Sequence, residues 1–344
     1  MFKQHPFVPK VLFFLFIAIF LQNCTTDEAS TIEPSETTET EDLISIALAE
    51  DLQDLASDEV TLRNLQGTTF KTLNQALRCT NLTGALFSGR KTIYAPTDAA
   101  FAKLGLTESN VCSALDAATL TNILLYHVTD GLVSINERGC IEMLNGDIAQ
   151  LTSESNRLFI NDLNISRSFA QRRIGSTLLV YVINDVLQVP DQTIVQTAIG
   201  ASQFSSLVAA VLAADPAIAA ALSDPNQILT VFAPTNEAFD NLISALGATS
   251  LEDLVDQVGV EALSTILLYH VVDACAFSND LQNGQLLTTL QGEQLRVNLR
   301  NLSIIDKTNT PAGLVTSGLD ILTSNGIVHT IDKVLLPNAI LENL

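Results

Sequence analysis

Histidine is the side chain best suited to move protons near neutral pH. This chain has four: His5, His127, His270 and His329. Two of them sit in one setting, "LLYHV", at Leu124–Val128 and again at Leu267–Val271. Catalysis would need an activated nucleophile, a paired acid and base, or metal ligands in reach of such a group. The sequence has no G-x-S-x-G, no H-E-x-x-H, no P-loop and no G-x-G-x-x-G. No Cys or carboxylate stands at metal-ligand spacing from a histidine. We therefore expect no catalytic residue, no cofactor, no metal and no enzyme. The competing reading is a hydrolase or transferase using a cleft around His270 and His329. For Tyr126–His127 and Tyr269–His270 the expected role is packing. Leu120, Ile123, Leu124 and His127 recur at i, i+3, i+4 and i+7, which puts His127 on the apolar face of a helix near its C-terminal end.

Charge and composition narrow the function further. The 344 residues carry a formal charge of −21, which argues against non-specific nucleic-acid binding, since that needs a basic footprint. Hydrophobic residues make up 47% of the chain, ample for real cores, and the length suits roughly two domains. With no Trp and only four Tyr, an aromatic sugar-stacking platform is not expected. Lys3 and Lys10 precede the apolar run Val11–Leu21, which is too short to span a bilayer and matches a secretory signal over 1–23. "LQNC" follows, and a Cys at this place resembles a bacterial lipobox with Cys24 as the lipidated residue. The acidic "TTDEA" after it resembles the surface-export signal of Bacteroidetes-type lipoproteins. Residues 24–57 are rich in Thr, Ser and Glu and read as an acidic tether that buries no core.

The rest of the chain is written twice. "TIYAPTDAAFAKL" from Thr92 matches "TVFAPTNEAFDNL" from Thr230, the LLYHV stretches follow, and "INDVLQVP" from Ile183 matches "IDKVLLPN" from Ile331. Such a long period marks a domain duplication: domain 1 over 58–190 and domain 2 over 191–344. Amphipathic patterns from Phe70 and Phe204 predict a helix before each APT strand. "KTIYAPT" and "ILTVFAPT" read as buried strands ended by proline, with Thr97 or Asp98 and Thr235 or Asn236 as N-caps of the next helix. "SLVAAVLAADPAIAAAL" reads as core broken at Pro216. Helices fill the first half of each copy and strands the second, so the class is α+β.

Taken together, the APT block, the Tyr-His pair after a Leu-rich helix and "SNGIVHTIDKVLLP" (Ser324–Pro337) resemble the fasciclin (FAS1) domain. The resemblance implies two tandem domains, each a β-wedge with helices packed around it, in secreted or surface proteins that mediate adhesion. It implies contact roles for Tyr126, His127, Tyr269, His270 and the Asp320–Ile321 pair, beside structural roles for Thr97, Thr235 and His329. Copy one departs from the pattern: Tyr181 stands where copy two has His329, and neither the Asn-Gly turn nor the Asp-Ile pair is present. The implied partners are extracellular matrix, polysaccharide or a cell-surface protein, with the membrane reached through the lipid. The implied location is the outer membrane, surface-exposed. A purely structural role in an envelope or matrix is a further alternative.

Four cysteines remain beyond Cys24, and an exported chain meets an oxidising compartment. Cys79 and Cys112 flank helices on either side of the APT strand and are the first choice for a bridge. Cys140 and Cys275 equally lack counterparts in the other copy, so counterparts do not choose the pair. Arg167, Arg172 and Arg173 form a basic cluster, expected in a loop.

Overall fold

Both APT strands are buried at every position, as befits a strand covered on two faces. The structure, a computed structural model, describes residues 69–342 apart from 83–88, 135, 155–156, 162, 166–170 and 175–177. The secretory signal, Cys24, the whole tether, residues 58–68 of domain 1 and Arg167 lie outside the described residues.

Copy one opens with α1 (Lys71–Thr80), β1 (Lys91–Pro96), α2 (Asp98–Ala102), α3 (Val111–Ala114) and α4 (Ala117–Leu125). Strands follow: β2 (Val128–Asp130), β3 (Gly139–Glu142), β4 (Ile148–Glu154), β5 (Arg157–Ile160), β6 (Leu163–Ile165), β7 (Gln171–Ile174) and β8 (Leu178–Ile183). Copy two begins with α5 (Ile194–Gly200), α6 (Ser205–Ala213), α7 (Pro216–Leu222) and β9 (Leu229–Pro234). Next come α8 (Asn236–Ala245), α9 (Leu251–Val258), α10 (Val260–Tyr269) and β10 (Val271–Val272). It ends with β11 (Leu286–Thr288), β12 (Gln294–Asn298), β13 (Ser303–Ile305), β14 (Pro311–Gly313), β15 (Ile321–Thr323), β16 (Gly326–Ile331) and α11 (Asn338–Leu341).

Each copy builds two four-stranded sheets. The first has the order β2-β1-β8-β7 in copy one and β10-β9-β16-β15 in copy two. In it the APT strand pairs in parallel with the last long strand, joining the two ends of the domain. The second sheet is an antiparallel meander, β3-β4-β5-β6 or β11-β12-β13-β14. Side chains alternate across the first sheet. Ile93, Ala95, Val180 and Val182 face the helices, while Tyr94, Leu179, Tyr181 and Ile183 face the second sheet. Each copy therefore has two apolar layers, one under its helices and one between its sheets. Both copies lie in one compact unit.

Local chemistry sets the helix ends. Thr97 accepts from the Ala100 N–H at 3.1 Å and Thr235 from the Ala238 N–H at 3.3 Å, so the threonines are the N-caps. Asp98 and Asn236 sit one place further on and cap a different helix. They accept from the Thr72 and Ser206 N–H groups, at 2.8 and 2.9 Å, and so seat α1 and α6. Asp215 caps α7 with Pro216 in its first turn, which splits the apolar run into two short helices. Among the described residues, no single helix is long and apolar enough to cross a membrane.

Three sequence expectations need correction. His127 lies beyond the end of α4, whose C-cap is Tyr126, because the ring takes up a carbonyl of the last turn instead of continuing the helix. Arg172 and Arg173 fall in β7, not in a loop, since that segment pairs with β8. The β15–β16 turn is made by Ser324 and Asn325, and Gly326 opens the strand. A Cβ at Gly326 would collide with the Leu229 carbonyl oxygen, so glycine is required there.

Candidate contact site around the Tyr-His pairs and the Asp-Ile strand

The Tyr-His pair is held by the same bonds in both copies. His127 donates from Nδ1 to the Ile123 carbonyl (2.7 Å) and accepts the Leu187 N–H at Nε2 (2.9 Å). His270 donates to the Ile266 carbonyl and accepts the Leu335 N–H, both at 2.8 Å. An N–H donor aimed at Nε2 fixes each ring as the neutral Nδ1–H tautomer. Burial, partly opposed by the carbonyl bond, pushes both imidazoles down to about 4. The Tyr126 hydroxyl donates to the Ile148 carbonyl (2.9 Å) and accepts from Asn161, while Tyr269 donates to the Gln294 carbonyl (3.2 Å). Burial raises both phenols well above their ordinary range.

All four of these side chains are at most 2% exposed. A contact role assigned to Tyr126, His127, Tyr269 or His270 therefore cannot run through the side chain itself. Each pair ties the last turn of its Leu-rich helix to a meander strand and to the segment after the last strand. His270 borders an apolar pocket of about 70 Å³ that opens to the surface beside Ile199 and Leu212, with both ring nitrogens committed to backbone. Neither nitrogen is free to take a proton from a substrate.

His329 works on the other face of the first sheet. It stacks on Phe232 with ring centroids 5.6 Å apart, donates from Nε2 to the Ala276 carbonyl (2.8 Å) and accepts the Asp320 N–H at Nδ1 (3.2 Å). Burial pushes its pKa down. Asp320, in left-handed backbone, turns its carboxylate onto the Ser278 N–H (2.7 Å) and the Ser278 hydroxyl. Asp320 and Ile321 remain half-buried, so they are the motif residues that reach the surface. They are not free of structural work, because Asp320 holds the loop that carries Ser278.

Copy one solves the same problem with different chemistry. Tyr181 occupies the register position of His329, opposite Tyr94 where copy two has Phe232. The two tyrosines stack at 5.8 Å, and the Tyr181 hydroxyl donates to the Val133 carbonyl at 2.9 Å. Burial pushes Tyr181 up to about 12.

Sequence reasoning did not single out Thr92 and Thr230. Each is a buried polar residue in an apolar strand. Each donates to a loop carbonyl, Gly131 or Ala274, and accepts a loop N–H, Val133 or Ala276. The signal was available, since threonine opens the matching block in both copies. Cys79 and Cys112 form a disulfide between α1 and α3, Cα atoms 6.0 Å apart. Cys140 and Cys275 form a second one, at 6.2 Å, which joins the two copies. Among the described residues, no group of three or more His, Cys, Asp and Glu could hold a metal ion.

A cleft of about 500 Å³ opens where copy one meets Leu322 of copy two; copy one supplies the rest of its lining, with Leu104, Leu163, Leu187, Val189 and Pro190 beside the polar Lys103, Asn161, Asp185 and Gln188. Leu187 is the residue bonded to His127, and Leu322 follows Ile321. The cleft is where the frame of one Tyr-His pair meets the Asp-Ile strand of the other copy.

Comparison with known proteins agrees with this duplicated geometry. The fasciclin domain model matches residues 68–190 and again 202–337. The protein sll1483 of Synechocystis is 39% identical over 145 residues, 42% of this chain and 73% of its own. The transforming growth factor-beta-induced protein ig-h3 of Sus scrofa is 30% identical over 260 residues, 74% of this chain but only 35% of its own. The cell surface glycolipoprotein MPB83 of Mycobacterium bovis is 39% identical over 113 residues, 32% of this chain and 44% of its own. With two fasciclin matches covering most of its length, each laid on one of the two structural copies, the chain belongs to the fasciclin-domain family.

Proposed function

We propose that this is a non-catalytic adhesion protein, exported and anchored by a lipid on Cys24, that presents two fasciclin domains on an acidic tether. The observation that carries the reading is the cleft between the copies. It is largely apolar, it is framed by the residues that the family motifs hold in place, and its rim residue Leu104 is 49% exposed. A cleft of this size and lining suits capture of an apolar segment of a matrix or cell-surface protein. The lipobox-like "LQNC" and the similarity to a cell surface glycolipoprotein support the anchor and the surface location. The engagement of both nitrogens of His127, His270 and His329 supports a role without catalysis.

The test is binding of the purified chain to whole cells, matrix proteins and a glycan array, beside thermal melts. Leu104→Glu places a charge at the rim without touching the core. It should abolish protein binding while the melting temperature stays put. Binding that survives Leu104→Glu unchanged would remove the cleft from the reading, and binding confined to glycans would replace the protein partner with a polysaccharide.

A further inference from the structure

The two copies are joined by little besides one covalent bond. Among the described residues, no strand of one pairs with a strand of the other and no hydrogen bond joins them. Their shared apolar contact is small: Ile148 of copy one against Phe277 and Ile327 of copy two, with Cys140, Cys275 and Leu322 packed around it. Beside it the seam is poorly satisfied. The Asp280 carboxylate lies against Gly139 of copy one with Oδ2 enclosed and unpartnered. Burial, then the charge of Asp320, raises its pKa, and Arg138 only partly offsets them.

The Cys140–Cys275 disulfide lands on the loop that organises the Asp-Ile strand. The carbonyl of Ala274 and the N–H of Ala276, on either side of Cys275, are bonded to Thr230. The Ala276 carbonyl accepts the hydrogen bond from His329 Nε2–H, and Ser278 donates its N–H and its hydroxyl to Asp320. On the copy-one side, Ile148 is fixed through its carbonyl by Tyr126. A covalent tie to copy one therefore enters a short network that ends at Asp320.

We propose that Cys140–Cys275 is a redox-sensitive clasp that sets the position of the 273–280 loop, and with it of Asp320–Ile321, against copy one. Both cysteines are half-buried, so a small reductant has access. A dithiol reductant attacks one sulfur as its thiolate, forms a mixed disulfide and expels the other cysteine, which takes up a proton. The reductant's second thiolate then displaces the remaining cysteine, which is protonated in turn, and the reductant leaves as its own disulfide. Two electrons pass to the protein. The inference does not depend on what the cleft binds.

Amide hydrogen exchange on the full chain tests it, because the critical bonds are themselves amide bonds. The double variant Cys140→Ser/Cys275→Ser isolates the clasp from Cys79–Cys112, which dithiothreitol also reduces. In the variant, and in reduced wild type, the Ser278 and Asp320 amides should exchange roughly tenfold faster or more, as expected of a locally released loop. The Leu187 and Leu335 amides, held by the interior histidines, should not change, and reoxidation of wild type should restore protection. Unchanged exchange at Ser278 and Asp320 would overturn the proposal. Equal acceleration of all four amides would overturn it too, since the bridge would then stabilise the whole fold without positioning the loop.

Discussion

Tyr181 and His329 carry out one structural task with unlike side chains. They occupy the same register position on the last long strand and donate to the carbonyls of Val133 and Ala276, the loop residues whose N–H groups are bonded to Thr92 and Thr230. Their stacking partners changed with them, Tyr94 for one and Phe232 for the other. Loss of the histidine in copy one is thus a replacement in kind, and the loop it holds is still held.

The exchange left a flaw that can be measured. The Tyr94 hydroxyl is enclosed without a hydrogen-bond partner, whereas Phe232 has no hydroxyl to satisfy. Tyr94→Phe should therefore be neutral to stabilising, by up to about 1 kcal/mol, while Tyr181→Phe strands the Val133 carbonyl and should cost about 1–3 kcal/mol. Calorimetry on both variants decides the matter. A loss from Tyr94→Phe equal to that from Tyr181→Phe would mean that the Tyr94 hydroxyl is bonded after all.

Acid should loosen the fold before the carboxylates titrate. His127 and His270 sit at about 4 against an unfolded value near 6.5, and His329 is shifted the same way. On acidification the unfolded chain takes up these protons first. The stability the rings contribute is complete above about pH 6.5 and is lost as pH falls through their folded values. Each fully shifted ring accounts for on the order of 3 kcal/mol across that window. Urea melts between pH 7.5 and 4.5 should show a steep fall, reduced in His270→Gln. A flat profile would show that the rings charge without opening the core.

Gly326→Ala should disable copy two. The added methyl meets the Leu229 carbonyl oxygen in the central parallel pair, where backbone cannot move aside cheaply. The expected cost is about 3 kcal/mol or more, read as a lowered melting temperature or loss of soluble protein. Gly284→Ala is the control: its positive φ costs something, but its Cβ meets open space, so the loss should be smaller. Equal losses would assign the cost to backbone angle alone.

Export makes a separate prediction. Cys24→Ser should abolish incorporation of a palmitate analogue and move the protein from the membrane fraction to the medium or periplasm. Labelling that persists in the variant would sink the lipid anchor.

Much of the fold was legible because its signals are local. Thr97 and Thr235 read as caps because a helix follows each at once, and the proline-ended apolar runs before them read as the strands they are. The amphipathic stretches after Phe70 and Phe204 became α1 and α6 as their spacing required. Pairing was harder to read. The β1–β8 partnership joins residues at opposite ends of a copy, and a strand buried on both faces has no alternation to show which face meets what. His329 was read on the right strand and His127 one step inside a helix that ends before it, and the saturation of His127 and His270 was hidden, since the N–H donors of Leu187 and Leu335 are backbone and leave no mark in side-chain identity. The link from Cys140 to Cys275 was hidden as well, because nothing local in either segment says that the copies meet there.

The clasp also decides how the molecule would carry load. Cys140 and Cys275 lie 135 residues apart, so the bridge closes a ring that holds the end of copy one, the segment between the copies and the start of copy two. Tension applied at the two ends of the chain would pass from Cys140 directly to Cys275 and bypass that ring. At roughly 3.5 Å per residue, the bypassed chain is about 47 nm of length that cannot pay out while the bridge is intact. Single-molecule pulling should show a total extension shorter by that amount in oxidised protein than in Cys140→Ser/Cys275→Ser. Equal extensions in the two would mean that the copies are not bridged. A protein hung between a membrane and a partner would then resist stretching through one covalent link, with the weak seam between its domains kept out of the line of force.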